Sequence, residues 1–310
     1  MKTLTWVRRG VAALGLAMTG AALGAPALPS ASLLNVNNAV RPAMWQISDA
    51  DTTVYLFGTI HLLPGSVGWR TPAINQAMTS SDGLVLETVI DETPTALAAD
   101  FTRLGMRAGL QPFVQRFAAN ERPAIEAAIA KSGIPESRYD QLETWAATLT
   151  LVGVQAGGGG FKGADGVETI LKKNFTAAGK PVGQLETNVE QLNMYDGLSE
   201  HAQRGMLSAM IGDPGVRARS VRGQLDAMVG TWVNGDVDGI AKSFNAELAA
   251  QPELRAALLT RRNTRWANWI DQRMAQPGSV MVAVGAGHLA GTGSVLQALE
   301  HHGYTVTRIQ

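Results

Sequence analysis

Two short segments of the chain share the pattern glycine, any two residues, histidine. The first ends at His61 and the second ends at His288. Each begins directly after an apolar run that is typical of a buried β-strand, residues 53–57 in the first case and 279–284 in the second. A glycine at the end of a strand can present the next imidazole at the rim of a sheet, where α/β proteins place their sites. Two imidazoles brought together there could bind a metal ion or transfer protons.

Two other predicted strands carry a carboxylate near their end, Glu87 in residues 83–89 and Glu186 in residues 182–186. Asp165 lies in the loop that follows a run of glycines. Because the chain has no cysteine, imidazole and carboxylate groups are the side chains left to bind a divalent ion. Two histidines and one carboxylate would leave open positions for water and substrate, as in hydrolytic metal sites. A spare carboxylate could then act as a general base.

Each of these residues also has a purely structural interpretation. A histidine after a strand can be a hydrogen-bonded turn residue, and Glu87 or Glu186 can cap a helix or pair with an arginine. The basic run 261–265 precedes Trp266 in a predicted helix and can form its solvated face. Alternatively, one of its arginines points into the site, where it would hold a carboxylate or stabilise an oxyanion.

Residues 285–290 also match Gly-x-Gly-x-x-Ala, a pattern found at dinucleotide sites. Such a site needs an acidic residue at the end of the next strand to hold the ribose, and the next predicted strand, residues 304–309, carries none. The sequence also lacks His-Glu-x-x-His, P-loop and Gly-x-Ser-x-Gly segments. A zincin site, a P-loop nucleotide site and a serine nucleophile elbow are therefore disfavoured.

The elements that must position these residues alternate between strands and long helical stretches. The periodicity predicts strands over residues 44–48, 53–58, 83–89, 182–186, 279–284 and 304–309, and helices over 72–81, most of 94–155, 167–178, 188–274 and 294–301. This order predicts an α/β fold, with a mixed central sheet and a large inserted helical cap. We expect one domain over residues 43–310, whose sheet core comes from about 43–90, 160–187 and 279–310 and whose helical insertions are about 91–157 and 188–276.

The N-terminal residues are typical of an export signal. Lys2, Arg8 and Arg9 precede an uncharged run rich in alanine, leucine and glycine, with small residues at its end. We expect residues 1–25 to be a signal peptide and 26–42 a flexible lead-in, with the mature chain in the periplasm and without a membrane span. The formal net charge of zero gives no attraction to nucleic acid, so no nucleic-acid partner is expected.

The motifs described above, in chain order, resemble those of the TraB/GumN family, which includes the Tiki proteases. The resemblance runs through residues 56–64, 163–166, 179–187, 262–267, 284–291 and 303–306. It implies a core like that of ChaN and erythromycin esterase. It also implies an active site containing His61, His288 and Glu87, with Arg262 as the matching arginine. Tiki members are regarded as metal-dependent peptidases, but the resemblance does not carry a substrate over to this chain.

The leading hypothesis is an exported metal-dependent hydrolase, most simply a peptidase that acts on an exported peptide or protein. His61, Glu87 and His288 would bind a divalent ion, and Arg262 would steady the substrate or the oxyanion. Glu186 and Asp165 would serve as the base or support the ligands. Two alternatives stay open: a protein that binds a peptide without cleaving it, and a metal-free hydrolase with a histidine as base and Glu87 as its partner.

Overall fold

The computed structural model describes residues 40–89, 95–158, 161–211, 221–248 and 251–310. The predicted signal peptide and most of the predicted lead-in lie outside these ranges. In the described residues one sheet is formed by the strands β1 (Met44–Ser48), β2 (Thr52–Thr59), β3 (Gly83–Leu86), β4 (Val182–Gln184), β5 (Gly278–Gly285) and β6 (Thr307–Arg308). Their order across the sheet is β4-β3-β5-β2-β1-β6.

Four neighbouring strands of this sheet run parallel. β3 pairs with β4 on one side and β5 on the other, and β5 also pairs with β2. β1 is antiparallel to both β2 and β6. In the β2–β5 pair, Thr59 lies opposite Gly285, so the two Gly-x-x-His segments leave the sheet side by side. The parallel pairing therefore brings the polar residues that follow β4, β3, β5 and β2 to one edge.

Helices fill the connections between the strands. They are α1 (Pro72–Ser80), α2 (Thr95–Gly105), α3 (Arg122–Ser132), α4 (Glu136–Tyr139), α5 (Thr144–Gly158), α6 (Val167–Ala177), α7 (Asn188–Asp196), α8 (Glu200–Ile211), α9 (Val221–Val233), α10 (Val237–Leu248), α11 (Pro252–Arg255), α12 (Arg261–Met274) and α13 (Val295–His301). A π turn, Ala256–Thr260, joins α11 to α12. α2 packs on α7 and α5 packs on α8, so the two helical insertions share a core. No helix in the described part of the chain has the length and apolarity to cross a membrane.

The predicted mixed α/β fold is confirmed, and the first hairpin and α1 form where the sequence indicates. Thr71 caps α1 by accepting a hydrogen bond from the Ile74 amide. The last strand is shorter than predicted. The Tyr304 amide donates to the Leu299 carbonyl and so belongs to the turn that closes α13, which leaves only Thr307–Arg308 to pair with β1. The proposed domain limits at residues 43 and 310 stay a prediction.

Lys180 closes the carboxyl end of α1 from the turn before β4. Its Nζ donates to the carbonyls of Met78, Thr79 and Ser81, at 3.1, 2.7 and 2.6 Å. Because these carbonyls have few other donors at a helix end, Lys180→Met is expected to lower the free energy of unfolding by about 1–2 kcal/mol. Urea denaturation checks this value. The exposed Lys173→Met is the control, and an equal loss in both variants would contradict the assigned role.

Candidate functional site

Each of the four parallel strands delivers one polar side chain at its carboxyl end. Across the sheet these are Glu186 after β4, Glu87 after β3, His288 after β5 and His61 after β2. Glu186, Glu87 and His288 are buried, and the His61 side chain is 16% exposed. We call these four residues, together with Arg262, which contacts Glu186, Glu87 and His288, the strand-end cluster. Among these five side chains, that of His61 is the most exposed.

Three side chains of the strand-end cluster meet around Gly285. A β-carbon built on this glycine would lie 3.1 Å from Glu87 Oε1, 3.6 Å from His61 Nε2 and 3.7 Å from His288 Cδ2. The Gly285 amide donates to Glu87 Oε1 at 2.6 Å. Glycine thus leaves room for the three side chains to converge and supplies a backbone donor to one of them.

Arg262 connects the cluster from α12. Its Nε donates to Glu186 at 2.9 Å and its Nη2 donates to Glu87 Oε2 at 2.7 Å as well as to Glu186. Its Nη1 contacts Leu258 O at 3.1 Å and His288 Nε2 at 3.0 Å. These acceptors provide a partner for each of the five N–H groups of the guanidinium. The geometry favours a role in which Arg262 positions the carboxylates and His288.

Glu87 is ionised in this setting. Burial acts to raise the pKa of its carboxyl, but the Arg262 charge, the two nearby histidines and the Gly285 amide together outweigh burial and hold that pKa at about 2. Arg265 adds a hydrogen bond at 3.2 Å to the neighbouring Glu186, and its own side chain is 59% exposed. The two buried carboxylates therefore share one fully buried guanidinium.

His288 is neutral. Its Nδ1 lies 2.5 Å from Asn263 Oδ1, while the Asn263 amide nitrogen donates to Gly293 O at 2.7 Å. Nδ1 is therefore the protonated nitrogen, and Nε2 accepts from Arg262. Burial and the Arg262 charge lower the pKa of His288 to about 3. The Trp266 ring covers this pair, with its centroid 4.4 Å from the His288 ring and 4.4 Å from the guanidinium carbon.

His61 has a different environment. Its Nδ1 lies 2.8 Å from Glu168 Oε1, in the first turn of α6, and the Thr59 hydroxyl donates to the same carboxylate. Its Nε2 is buried and has no hydrogen-bond partner among the described residues. Burial acts to lower the pKa of His61, but the charges of Glu168 and Glu87 outweigh it and raise the pKa to about 9. The ring is thus held by a carboxylate on one side and presents an unused nitrogen on the other.

The structure brings five of the six predicted site residues together. Asp165 is the exception, since it lies on a short 3-10 turn with its carboxylate beside Gly65. The carboxylate that reaches His61 is Glu168, three residues farther along the chain. The residue pattern did not single out Glu168, although a carboxylate in the first turn after the Gly163–Gly166 motif was a usable signal.

Two other residues were not predicted. Asn263 fixes the tautomer of His288, as described above. Tyr195 of α7 is fully buried and its hydroxyl has no hydrogen-bond partner in the described ranges. Burial raises the pKa of this hydroxyl, and it lies within electrostatic range of Arg262, Glu87 and Glu186. No pattern in the sequence marks Tyr195, because its position near these charges depends on how α7 packs.

The predicted three-ligand metal set does not fit this arrangement. His288 Nε2 and Glu87 Oε2 both face the Arg262 guanidinium, which occupies the place that a cation would need next to them. No group of three or more histidine, aspartate or glutamate side chains is placed to hold a metal ion in the described part of the chain. Two donor atoms of the predicted set, His61 Nε2 and Glu87 Oε1, still face the same point beside Gly285.

The two histidines make stability depend on pH in opposite directions. Above pH 6.5 the imidazole of His61 loses its proton in the unfolded chain, but in the folded protein it keeps the proton until about pH 9. The free energy of unfolding therefore decreases as pH rises. Below pH 6.5 the imidazole of His288 binds a proton in the unfolded chain, but in the folded protein it binds one only near pH 3. The free energy of unfolding therefore decreases as pH decreases. We therefore expect a maximum near pH 6.5, with slopes of up to about 1.4 kcal/mol per pH unit on each side.

Urea denaturation from pH 5 to 8.5 in buffer with EDTA checks this expectation. His61→Gln should flatten the alkaline side and leave the acid side in place. A stability that rises steadily from pH 6.5 to 8.5 in the unmodified protein would contradict the assignment of His61.

Comparison with known proteins adds family information. The sequence profile of the TraB/PrgY/gumN family matches residues 43–308. The chain is 23% identical over 245 residues to the uncharacterized protein YbaP of Escherichia coli (strain K12), covering 79% of this chain and 87% of that protein. The YbaP protein of Shigella flexneri matches to the same extent. No solved structure matches significantly, so the likeness to ChaN and erythromycin esterase stays a prediction.

Proposed function

The chain belongs to the TraB/PrgY/gumN family, and from that premise and the strand-end cluster we propose that it is a hydrolase of peptide or ester bonds. The observation that carries this proposal is the buried, unpartnered Nε2 of His61, which lies beside Glu87 and is oriented by Glu168. A base held by a carboxylate, with its other nitrogen directed into a site, is the arrangement that activates a nucleophile.

Water is the nucleophile in this proposal, since the chain has no cysteine and no serine elbow. The neutral form of His61 takes a proton from water at Nε2, and Glu168 stabilises the imidazolium that forms. The same nitrogen then returns the proton to the leaving group. Because the pKa of His61 is about 9, the neutral form becomes more abundant as pH rises, and the rate should increase between pH 7 and 9.

Arg262 and His288 support this chemistry without contacting the substrate. The acceptors around Arg262 occupy its N–H groups, so it fixes the positions of Glu87 and His288. Glu87 keeps its charge and directs Oε1 toward the point that His61 Nε2 also faces. The pair can therefore hold a water molecule between a carboxylate acceptor and an imidazole.

A metal-dependent hydrolase is the second candidate, and one observation favours it. A histidine whose other nitrogen is paired with a carboxylate is the usual form of a metal ligand, and His61 with Glu168 has this form. A divalent ion would use His61 Nε2 and Glu87 Oε1 as protein ligands. When bound, it would make hydroxide available near neutral pH.

For the substrate we propose an exported peptide or protein, and for the location the periplasm. The N-terminal residues, which are typical of an export signal, support the location. The resemblance to the Tiki proteases supports a peptide substrate. A protein that binds peptide without cleaving it is the alternative that the experiment must separate from these proposals.

To test these proposals, the purified protein is incubated with a mixture of synthetic peptides, and the products are identified by mass spectrometry. Parallel reactions contain EDTA, or Mn²⁺, Co²⁺ or Zn²⁺. Cleavage that persists in EDTA and is lost in His61→Gln supports the acid–base mechanism. Cleavage only with added metal, accompanied by bound metal in elemental analysis, supports the second candidate. Intact peptide that copurifies with the protein in every reaction would overturn both and favour the binding protein.

A further inference from the structure

A pocket lies away from the strand-end cluster, between the two helical insertions. It has a volume of about 440 Å³, within the range of small-molecule sites. We call it the cap pocket. Its walls come from the segment after α2, the start of α5 and the region from the end of α7 into α8, and its polar lining includes Arg107, Arg116, Glu143, Asp196, Glu200 and Arg204.

The charges in the cap pocket are balanced. Three arginines and three carboxylates line it, together with the apolar side chains Leu110 and Leu198. The carboxylates would repel a phosphate or another simple anion, and the arginines would repel a simple cation. A ligand that carries both charges, with a short apolar part, is the class that matches this lining.

Some of these groups form the wall and are already engaged. Arg116 donates to three backbone carbonyls, including Leu142 O at 2.7 Å and Gln111 O at 2.9 Å. Glu200 accepts from the Thr144 hydroxyl at 2.8 Å, and Asp196 accepts from the Trp145 indole at 3.2 Å. These bonds fix the shape of the pocket before any ligand enters.

Arg107 and Glu143 differ from the wall groups. Arg107 Nε lies 2.7 Å from Glu143 Oε1, yet the arginine side chain is 66% exposed and the glutamate side chain only 10%. Oε1 of Glu143 makes no hydrogen bond in the described residues, so the two groups attract each other by charge alone. A buried carboxylate oxygen that has an ion pair but no aligned hydrogen bond keeps part of its desolvation cost, and a ligand that donates to it would reduce that cost.

We infer that the cap pocket binds a small zwitterion of the amino acid or dipeptide class. The ammonium group of the ligand donates to Glu143, and its carboxylate pairs with Arg107, which can move because most of its side chain is in water. Leu110 and Leu198 contact the apolar side chain of the ligand. This site shares no residue with the strand-end cluster, and the inference does not depend on the proposed hydrolase activity.

Isothermal titration calorimetry on the purified full chain tests the inference with L-leucine, L-alanyl-L-leucine and N-acetyl-L-alanyl-L-leucine amide. We expect saturable binding of at least one of the two zwitterions, and at least tenfold weaker binding of the blocked peptide, which lacks both charges. His61→Gln should bind the zwitterion unchanged, which separates the cap pocket from the strand-end cluster. Absence of zwitterion binding, or equal binding of the blocked peptide, would overturn the inference.

Two matched variants locate the site. Arg107→Gln should weaken zwitterion binding about tenfold. Arg103→Gln, which changes an arginine of similar exposure (59%) that pairs with Asp100 outside the pocket, should leave it unchanged. Both substitutions are at exposed arginines, so neither is expected to disturb the fold. Equal affinity of the two variants for the zwitterion would therefore also refute the inference.

Discussion

Replacing Arg262 with methionine is expected to lower the free energy of unfolding by about 3–5 kcal/mol. The guanidinium is the buried charge that compensates Glu87 and Glu186, which are themselves 2% and 4% exposed. Methionine fills part of the volume but leaves two carboxylates buried without their partner. It also removes the donor to His288 Nε2.

Urea denaturation at pH 6.5, followed by circular dichroism, measures this loss. Arg265→Met is the matched control, because Arg265 also pairs with Glu186 but is 59% exposed, and its loss should cost less than about 1 kcal/mol. Arg262→Lys should recover part of the stability, since one ammonium group cannot satisfy as many acceptors as a guanidinium. Similar losses for the Arg262→Met and Arg265→Met proteins would show that the buried network contributes little.

His61→Gln is expected to reduce kcat/KM for the hydrolysed substrate by about 10²–10⁴-fold, the usual contribution of a general acid–base residue. Glutamine keeps a polar group of similar size but cannot take up a proton. The rate of the unmodified protein should rise between pH 7 and 9, in line with the raised pKa of His61. Glu168→Gln should shift this rise toward lower pH, since the Glu168 charge is a principal cause of the raised pKa.

Steady-state kinetics across this pH range provide the measurement, with His301→Gln as the control. His301 is exposed at the end of α13 and contacts no member of the strand-end cluster in the structure as described. A His61 variant with full activity, or a pH profile that Glu168→Gln leaves in place, would remove His61 from the mechanism.

The sequence pattern predicted the sheet and four members of the strand-end cluster because these depend on local features. Apolar runs followed by glycine and histidine mark the ends of β2 and β5, and the carboxylates after β3 and β4 follow the same rule. Parallel pairing then brings these ends together without further information. Predicting Arg262 also required the family resemblance, because a basic run on a helix does not reveal which arginine points into the site.

Other parts of the site depend on packing between distant segments. Glu168 instead of Asp165 reaches His61 because of where α6 begins relative to β2, and the residue pattern alone does not decide between these two nearby carboxylates. Asn263 becomes important only because His288 lies next to it in space. Tyr195 is placed by the packing of α7, within the helical insertions, where the motifs give no guidance.

The π turn Ala256–Thr260 makes the length of one connection as important as its composition. The Arg261 amide bonds back to Ala256 O, five residues earlier, so this turn holds about one residue more than an α-helical turn. Deleting one residue here would let a regular α-helix keep α12 in nearly the same orientation, whereas a regular α-helix of the present length would rotate α12 by about 100° relative to α11. In that rotated helix Arg262, Asn263 and Trp266 would all lose the contacts described above, although every side chain would still be present. A relative that is one residue shorter at this point would therefore keep the site with a regular α-helix, whereas a relative of equal length would need the π turn to keep it.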